Sequence, residues 1–379
     1  MATADAGFGL PRWAVNGLLP LVNLVAAFAV SGIVILILGE SPVEAVVALV
    51  RGAFGFREAW GYTLYYATNF IFTALAFSIA AHCGLFNIGG EGQGYIGGLG
   101  VGLACLYLDV LPFFLLVPVA IVGGALFGAA WAWVPAYLQA RRGSHVVITT
   151  IMFNFIAATV MVYLLVNVLI EPGQMSPQSR DFAEHARLPA MHDMMGWLGI
   201  DFPRTPLNAA FIWALACAGL VWVYVWHTRW GYELRTVGAN PDAAVYAGIS
   251  PARNIVRAMV ISGALAGMMG LNEVMGVNQR LLLNFTAGYG FVGIAVSLMG
   301  RNHPVGILVA SLLFGALYQG GAELAFEMPR VSRELVVVIQ GLVIMFVGAL
   351  EFLFLPAFRP WLQKRRQAAS AAAAAAEQE

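Results

Sequence analysis

Apolar runs fill the chain, with little polar sequence between them. Crossing a bilayer takes about 20 mostly apolar residues. Runs of that kind fall at residues 20–38, 62–81, 95–111, 112–138, 146–170, 207–226, 255–275, 304–321 and 335–355, with a shorter one at 288–299. The pattern predicts an all-α polytopic membrane protein with about ten transmembrane helices, its membrane domain spanning residues 20–355. The first run reads as an anchor, because no small-x-small cleavage site follows it. Residues 1–19 and an Ala-rich tail at 356–379 flank the bundle.

Composition agrees. Hydrophobic residues make up 60% of the 379 and charged residues 11%, against about 25% charged in soluble domains. Twenty basic residues balance twenty acidic ones. Disorder and nucleic-acid binding are excluded on these grounds. The one lysine, Lys364, follows Leu362 and Gln363, so the Gly-Lys-Ser/Thr loop of a phosphate-binding ATPase is absent. Cys83, Cys105 and Cys217 sit singly in apolar stretches, without metal or disulfide spacing.

The positive-inside rule sets the orientation. With both ends in the cytoplasm, most basic residues fall inside, among them Arg141, Arg142, Arg229, Arg235, Arg253, Arg257, Arg365 and Arg366. The loop at 171–206 is then extracytoplasmic and the loop at 228–254 cytoplasmic. The outer loop mixes Arg180, Arg187 and Arg204 with Glu171, Asp181, Glu184, Asp193 and Asp201. It reads either as a solvated cap or as a docking surface. His185 and His192 sit in it too, and a metal site there is the weaker reading.

Polar residues inside apolar spans are costly, about 2.5–3.5 kcal/mol for a mid-membrane carboxylate on insertion scales. Asn87, Glu91 and Gln93 stand in Phe86-Asn87-Ile88-Gly89-Gly90-Glu91-Gly92-Gln93-Gly94, which joins two spans without a long loop. The segment predicts a broken helix lining a cavity, or one near the inner interface. The expectation is that Glu91 lies toward the cytoplasmic mouth while Asn87 and Gln93 hold the break. With Thr149, Asn154 and Asn272 they are the candidates for a translocation path. No His-Glu-x-x-His, no Gly-x-Ser-x-Gly and no paired Asp appears, so an intramembrane enzyme is disfavoured.

Gly90, Gly94, Gly98 and Gly102 recur every four residues, and Gly124/Gly128 and Gly263/Gly267 repeat the theme. Such faces let helix backbones approach closely in lipid. The run from Pro118 to Ala129 resembles that from Pro304 to Ala316, in opposite directions across the membrane. An inverted pseudo-repeat of this kind marks transporters.

The inner loop contains a short helix with defined ends. Asn240 is a natural N-cap, Pro241 fits the first helical position, Asp242 suits the helix dipole, and Gly248 stops the run that starts at Ala243. Ser250-Pro251 starts the next helix. The expected product is a rigid knob showing small apolar residues and Tyr246 to the cytoplasm.

The segment Gly238-Ala239-Asn240-Pro241-Asp242-Ala243-Ala244 through Ala247-Gly248-Ile249 resembles the coupling helix of permease subunits in the branched-chain amino acid, sugar and nucleoside branch of ABC importers. The segments Gly84–Gly98 and Val147–Ala157 resemble its nucleoside and simple-sugar members, with Gly90 standing where that branch often has a bulkier residue. The resemblance implies a type II-like importer permease of the inner membrane that takes up nucleosides by alternating access. Simple sugars and branched-chain amino acids are the alternatives within the family, and an ion-coupled transporter using Glu91, Glu273 or Glu323 is the alternative outside it. The implied partners are ABC ATPase subunits gripping Asn240, Pro241, Asp242, Ala243, Ala244, Tyr246, Gly248 and Ile249, a second permease chain (a homologue or a second copy), and an extracytoplasmic substrate-binding lipoprotein. The resemblance implies no cofactor of the chain's own, ATP being bound by the partners.

Overall fold

The computed structural model describes residues 19–346, so the segments at 1–18 and 356–379, and the end of the expected tenth span, lie outside the described residues. Most of the described chain is helical. In order the helices are α1 (Leu19–Ile37), α2 (Pro42–Phe54), α3 (Arg57–His82), α4 (Gly90–Tyr107), α5 (Phe113–Arg142), α6 (Val146–Asn167), α7 (Met191–Trp197), α8 (Ala210–His227), α9 (Arg229–Ala239), α10 (Pro241–Tyr246), α11 (Pro251–Gly267), α12 (Tyr289–Met299), α13 (Pro304–Glu327) and α14 (Arg333–Ile344). A wider, π-helical turn at Leu271–Asn278 prolongs α11.

Six helices among the described residues are long and apolar enough to cross a membrane, or seven if α1 and α2 make one span. The expected count of about ten is not confirmed. The tenth expected span lies partly outside the described residues, and two others have a physical reason to fall short: α4 is rich in glycine and carries Glu91 and Gln93, and α12 has 11 residues. Both begin at a break in the backbone.

The chain divides into two compact units. In the smaller, α1 packs along α14, and Arg330 faces Glu40 at 3.7 Å. The larger runs from Val47 to Glu327. Its centre is α3, buried continuously from Ala67 to Ala80 and flanked by α11, α12 and α13. On the other side α4 is wedged among α5, α6 and α11.

Glycine makes that wedge possible, though not quite along the expected stripe. A Cβ on Gly97 would sit 2.1 Å from the Cα of Gly267, one on Gly100 2.5 Å from the carbonyl oxygen of Gly123, and one on Gly128 2.1 Å from that of Gly263. These are backbone-to-backbone approaches that no side chain allows. The predicted stripe does something else at two of its positions. Gly98 lies under the ring of Phe285 and Gly102 under Leu281, so there the smooth face of α4 receives side chains from the loop ahead of α12. A Cβ on Gly90 would only reach ordinary contact, 3.4 Å from the oxygen of Gly290. A bulkier residue at position 90 therefore meets no backbone obstruction at its first carbon.

The two long loops lie at opposite ends of this unit. At one end, Phe182 and Leu188 donate backbone bonds to the oxygens of Gln279 and Met275, and Arg180 pairs with Asp109 at 2.9 Å. At the other, Trp226 packs between His82 and His303, at ring separations of 5.2 and 4.9 Å. Here α5 ends and α13 begins, so the two halves of the sequence pseudo-repeat do run in opposite directions.

Because Gly267 receives both Gly97 and the oxygen of Gly124, Gly267→Val should separate three helices. Overpacking of this kind costs about 1–3 kcal/mol or more. The measurement is thermal unfolding in detergent, with a midpoint several degrees below that of the wild type.

Candidate translocation site

Two interrupted segments meet at the middle of the larger unit. The first is residues 83–89, between α3 and α4. Gly84, at φ +75°, turns the chain out of α3, and the next residues are not helical until Gly90. A helix that begins inside a bundle leaves its first N–H groups without helical partners. Side chains supply the missing acceptors. The Asn87 carboxamide oxygen accepts from Gly89 N (2.9 Å) and Gln93 Nε2 (3.1 Å), and its nitrogen donates to Gln93 Oε1 and Ser262 Oγ, both at 2.9 Å. Ser262 then donates to the carbonyl of Ala76 at 2.6 Å. From α6, Asn154 accepts from Gly92 N (2.9 Å) and donates to Ile88 O (3.0 Å). The break is thus fastened to α3, α6 and α11 at once.

The second interruption is residues 279–288, with left-handed backbone at Gln279, Asn284, Ala287 and Gly288. It delivers the first turn of α12 to Glu91. One carboxylate oxygen accepts from Thr286 Oγ1 (2.5 Å) and Gly288 N (2.9 Å), and the other from Gly290 N (2.8 Å). A carboxylate on a helix N-terminus is favoured by both the free N–H groups and the dipole. Gly290 must be glycine, since a Cβ there would lie 2.3 Å from Glu91 N. The clasp is level with the middle of α3, because Tyr289 packs its ring on Phe70 (5.6 Å) and Gly293 abuts Thr73. The sequence reading set Glu91 nearer the inner mouth.

A second buried cluster surrounds Glu273, which is 4% exposed. Tyr65 and Asn69 donate to its Oε1 at 2.6 and 2.5 Å. Asn272 donates to Asn69 Oδ1 and accepts from Asn208 Nδ2, each at 2.9 Å. Asn272 therefore belongs to this cluster and not to the clasp. Thr150 is buried over Gly89, whereas Thr149 bonds only within its own helix, to Val146 O and His145 O. Tyr65, Asn69, Asn208, Ser262 and Thr286 were not singled out from the sequence. The intramembrane Asn69 was detectable as a polar residue within an apolar span; the others carry no local signal.

At the far end of α9 stands the capped helix. Asn240 Oδ1 accepts from the N–H groups of Asp242 and Ala243 at 3.0 Å, Pro241 opens α10, and Gly248 closes it at φ +73°. Ile249 N returns to Ala244 O at 2.9 Å. Tyr246 is 95% and Val245 60% exposed. Ala244 is fully buried, contrary to its expected place on the presented face. It packs inward, because the fourth position of so short a helix faces back onto its neighbours. Glu233 ties α9 to α11, bonded to Arg229 at 3.0 Å and Arg257 at 3.3 Å. The last turn of α9 presses on the first interruption: a Cβ on Gly238 would sit 2.2 Å from His82 O and 2.9 Å from Gly84 N.

Among the described residues no group of three or more His, Cys, Asp or Glu is placed to hold a metal ion. His192 instead faces Asp193 at 2.9 Å, and His185 bonds the carbonyl of Asp109.

Interrupted helices meeting at mid-depth, with helix ends aimed at the break, are a transporter architecture. Residues 60–348 match the family model described as branched-chain amino acid transport system / permease component. The chain belongs to that permease family. Permeases of this family are non-catalytic membrane subunits, which agrees with the missing phosphate loop. The chain is 35% identical over 88% of its length to the guanosine ABC transporter permease protein NupP of Bacillus subtilis, covering 93% of that protein. It is 32% identical over 87% to the nucleoside ABC transporter permease protein NupB of Lactococcus lactis, covering 90%. It is 33% identical over 90% to the glucose ABC transporter permease protein TsgB13 of Haloferax volcanii, also covering 90%. No solved structure matches the chain.

Glu91→Gln in this permease sets a carboxamide N–H group against an N–H of the clasp. A buried donor left without its acceptor costs about 1–3 kcal/mol. Hydrogen exchange of the Gly288 and Gly290 amides should quicken roughly tenfold to a hundredfold, while that of α3 amides stays unchanged.

Proposed function

We propose that this chain is the membrane-spanning subunit of an ATP-driven importer for nucleosides. It works by alternating access, with its ends in the cytoplasm of a cell bounded by the plasma (inner) membrane. Separate ATPase subunits bind α10, an extracytoplasmic binding lipoprotein delivers the substrate at the end formed by loop 171–206, and a second permease chain, a homologue or another copy, completes the path. The observation that carries the reading is mechanical. A doubly capped knob offers Val245 and Tyr246 to a partner, and the helix leading into it bears, through Gly238, on the backbone that enters the first interruption. Motion at α10 therefore has a rigid route to Asn87 and Glu91. The printed names of two relatives support nucleosides as the cargo. The glucose permease, at 33% identity, supports a simple sugar as the second reading. Competition of labelled guanosine uptake by unlabelled nucleosides and by glucose or ribose decides between them: only nucleosides should compete.

Two substitutions test the coupling route. Tyr246→Asp changes a fully exposed side chain, so the subunit should insert normally while ATP-dependent uptake falls at least tenfold. Gly238→Ala leaves the knob intact but forces α9 away from His82. Partner binding should persist, measured by co-purification, while uptake falls by a similar factor.

A further inference from the structure

A cavity of about 520 Å³ opens at the end of the larger unit that carries loop 171–206, between the first turns of α3, the end of that loop and the π-helical turn. Its wall holds Tyr62, Tyr65, Tyr66, Arg204 and Thr205. Arg204 is exposed and has no ion pair or hydrogen bond among the described residues, and the buried hydroxyl of Thr205 has no hydrogen-bond partner. The wall leads inward. Tyr65 donates to the buried Glu273, and Tyr66 packs its ring against Tyr289 (6.4 Å) and Tyr318 (5.6 Å). Tyr289 opens α12, whose next residue, Gly290, is held by Glu91. A chain of ring contacts thus connects the cavity wall with the clasp.

The chemistry of the wall narrows its ligand. It presents the faces and hydroxyls of three tyrosines and one guanidinium, but no carboxylate and no carboxamide, the Thr205 hydroxyl being turned onto Gly61. An amino acid would leave its ammonium group unpaired there. A sugar would find few of the acceptors that its hydroxyl donors need. A flat base gains from stacking on tyrosine, and a guanidinium fork matches a carbonyl oxygen beside a ring nitrogen. We propose that this cavity is a reception subsite for the base of an oxo-nucleoside, stacked on the tyrosine wall and held at its carbonyl by Arg204. The inference rests on the nucleoside reading above and adds where, and by which atoms, the base is first held.

The test uses the complete transporter in proteoliposomes with saturating binding protein, and compares maximal uptake of inosine with that of purine riboside, which lacks the 6-oxo group. Arg204→Gln should lower the inosine rate about tenfold and leave the purine riboside rate within twofold of wild type. Tyr62→Leu should lower both and Tyr62→Phe restore both. The purine riboside rate in Arg204→Gln also reports that the variant is folded. Equal changes for the two substrates in Arg204→Gln, or none, overturn the subsite while leaving nucleoside transport standing. A wild-type complex that carries a sugar and neither nucleoside overturns the functional reading itself.

Discussion

The clasp between Glu91 and the first turn of α12 is the contact on which this architecture depends. Two helices begin in the middle of a bundle, where water is scarce and every free N–H is expensive. One carboxylate answers three donors at and just ahead of the start of the second helix while itself sitting in the first turn of the other. It neutralises the positive end of α12 and fixes the two interruptions against each other. The glycines around it follow from that closeness: Gly290 lies on the backbone of Glu91, and Gly92 lies on Asn154. Remove the carboxylate and the interruptions lose the bonds that join them.

The rest of the larger unit holds this point in place. Asn87, Gln93 and Asn154 hold the first interruption by hydrogen bonds at Ile88, Gly89 and Gly92, so it is a fastened element and not a slack loop. Gly238 touches its root. A displacement at α9 and α10 cannot be absorbed by side chains there, because none intervenes between the two backbones. Between the clasp and the cavity at loop 171–206 the Glu273 cluster joins α3, the π-helical turn and the residues just ahead of α8 through Tyr65, Asn69, Asn272 and Asn208. A wider helical turn at a functional position is a recurring device, and here it points Glu273 at α3.

What could be read from the sequence is local chemistry. The cap at Asn240, the proline at 241 and the stop at Gly248 declare α10 without any tertiary information, and the cluster Asn87–Gln93 declares a break. The class of membrane protein follows from apolar runs alone. What could not be read is pairing over distance. Tyr65 and Glu273 are 208 residues apart, and nothing near either one announces the other. The count of about ten spans is not confirmed among the described residues, and an apolar run does not reveal that a helix begins halfway along its neighbour, as α4 and α12 do. Ala244 was assigned to the wrong face because six residues carry too little periodicity to orient a helix. The glycine stripe of α4 showed that something approaches closely, but not that Phe285 and Leu281 do so at two of its positions.

The central claim is that this subunit is passive and is driven through α10 by a foreign ATPase. The most direct test is substrate flux in proteoliposomes holding either this chain alone or the chain with its partners. The account predicts flux only with the partners and ATP present, and none from the chain alone under an imposed proton or sodium gradient. Gradient-driven uptake by the isolated chain would contradict it.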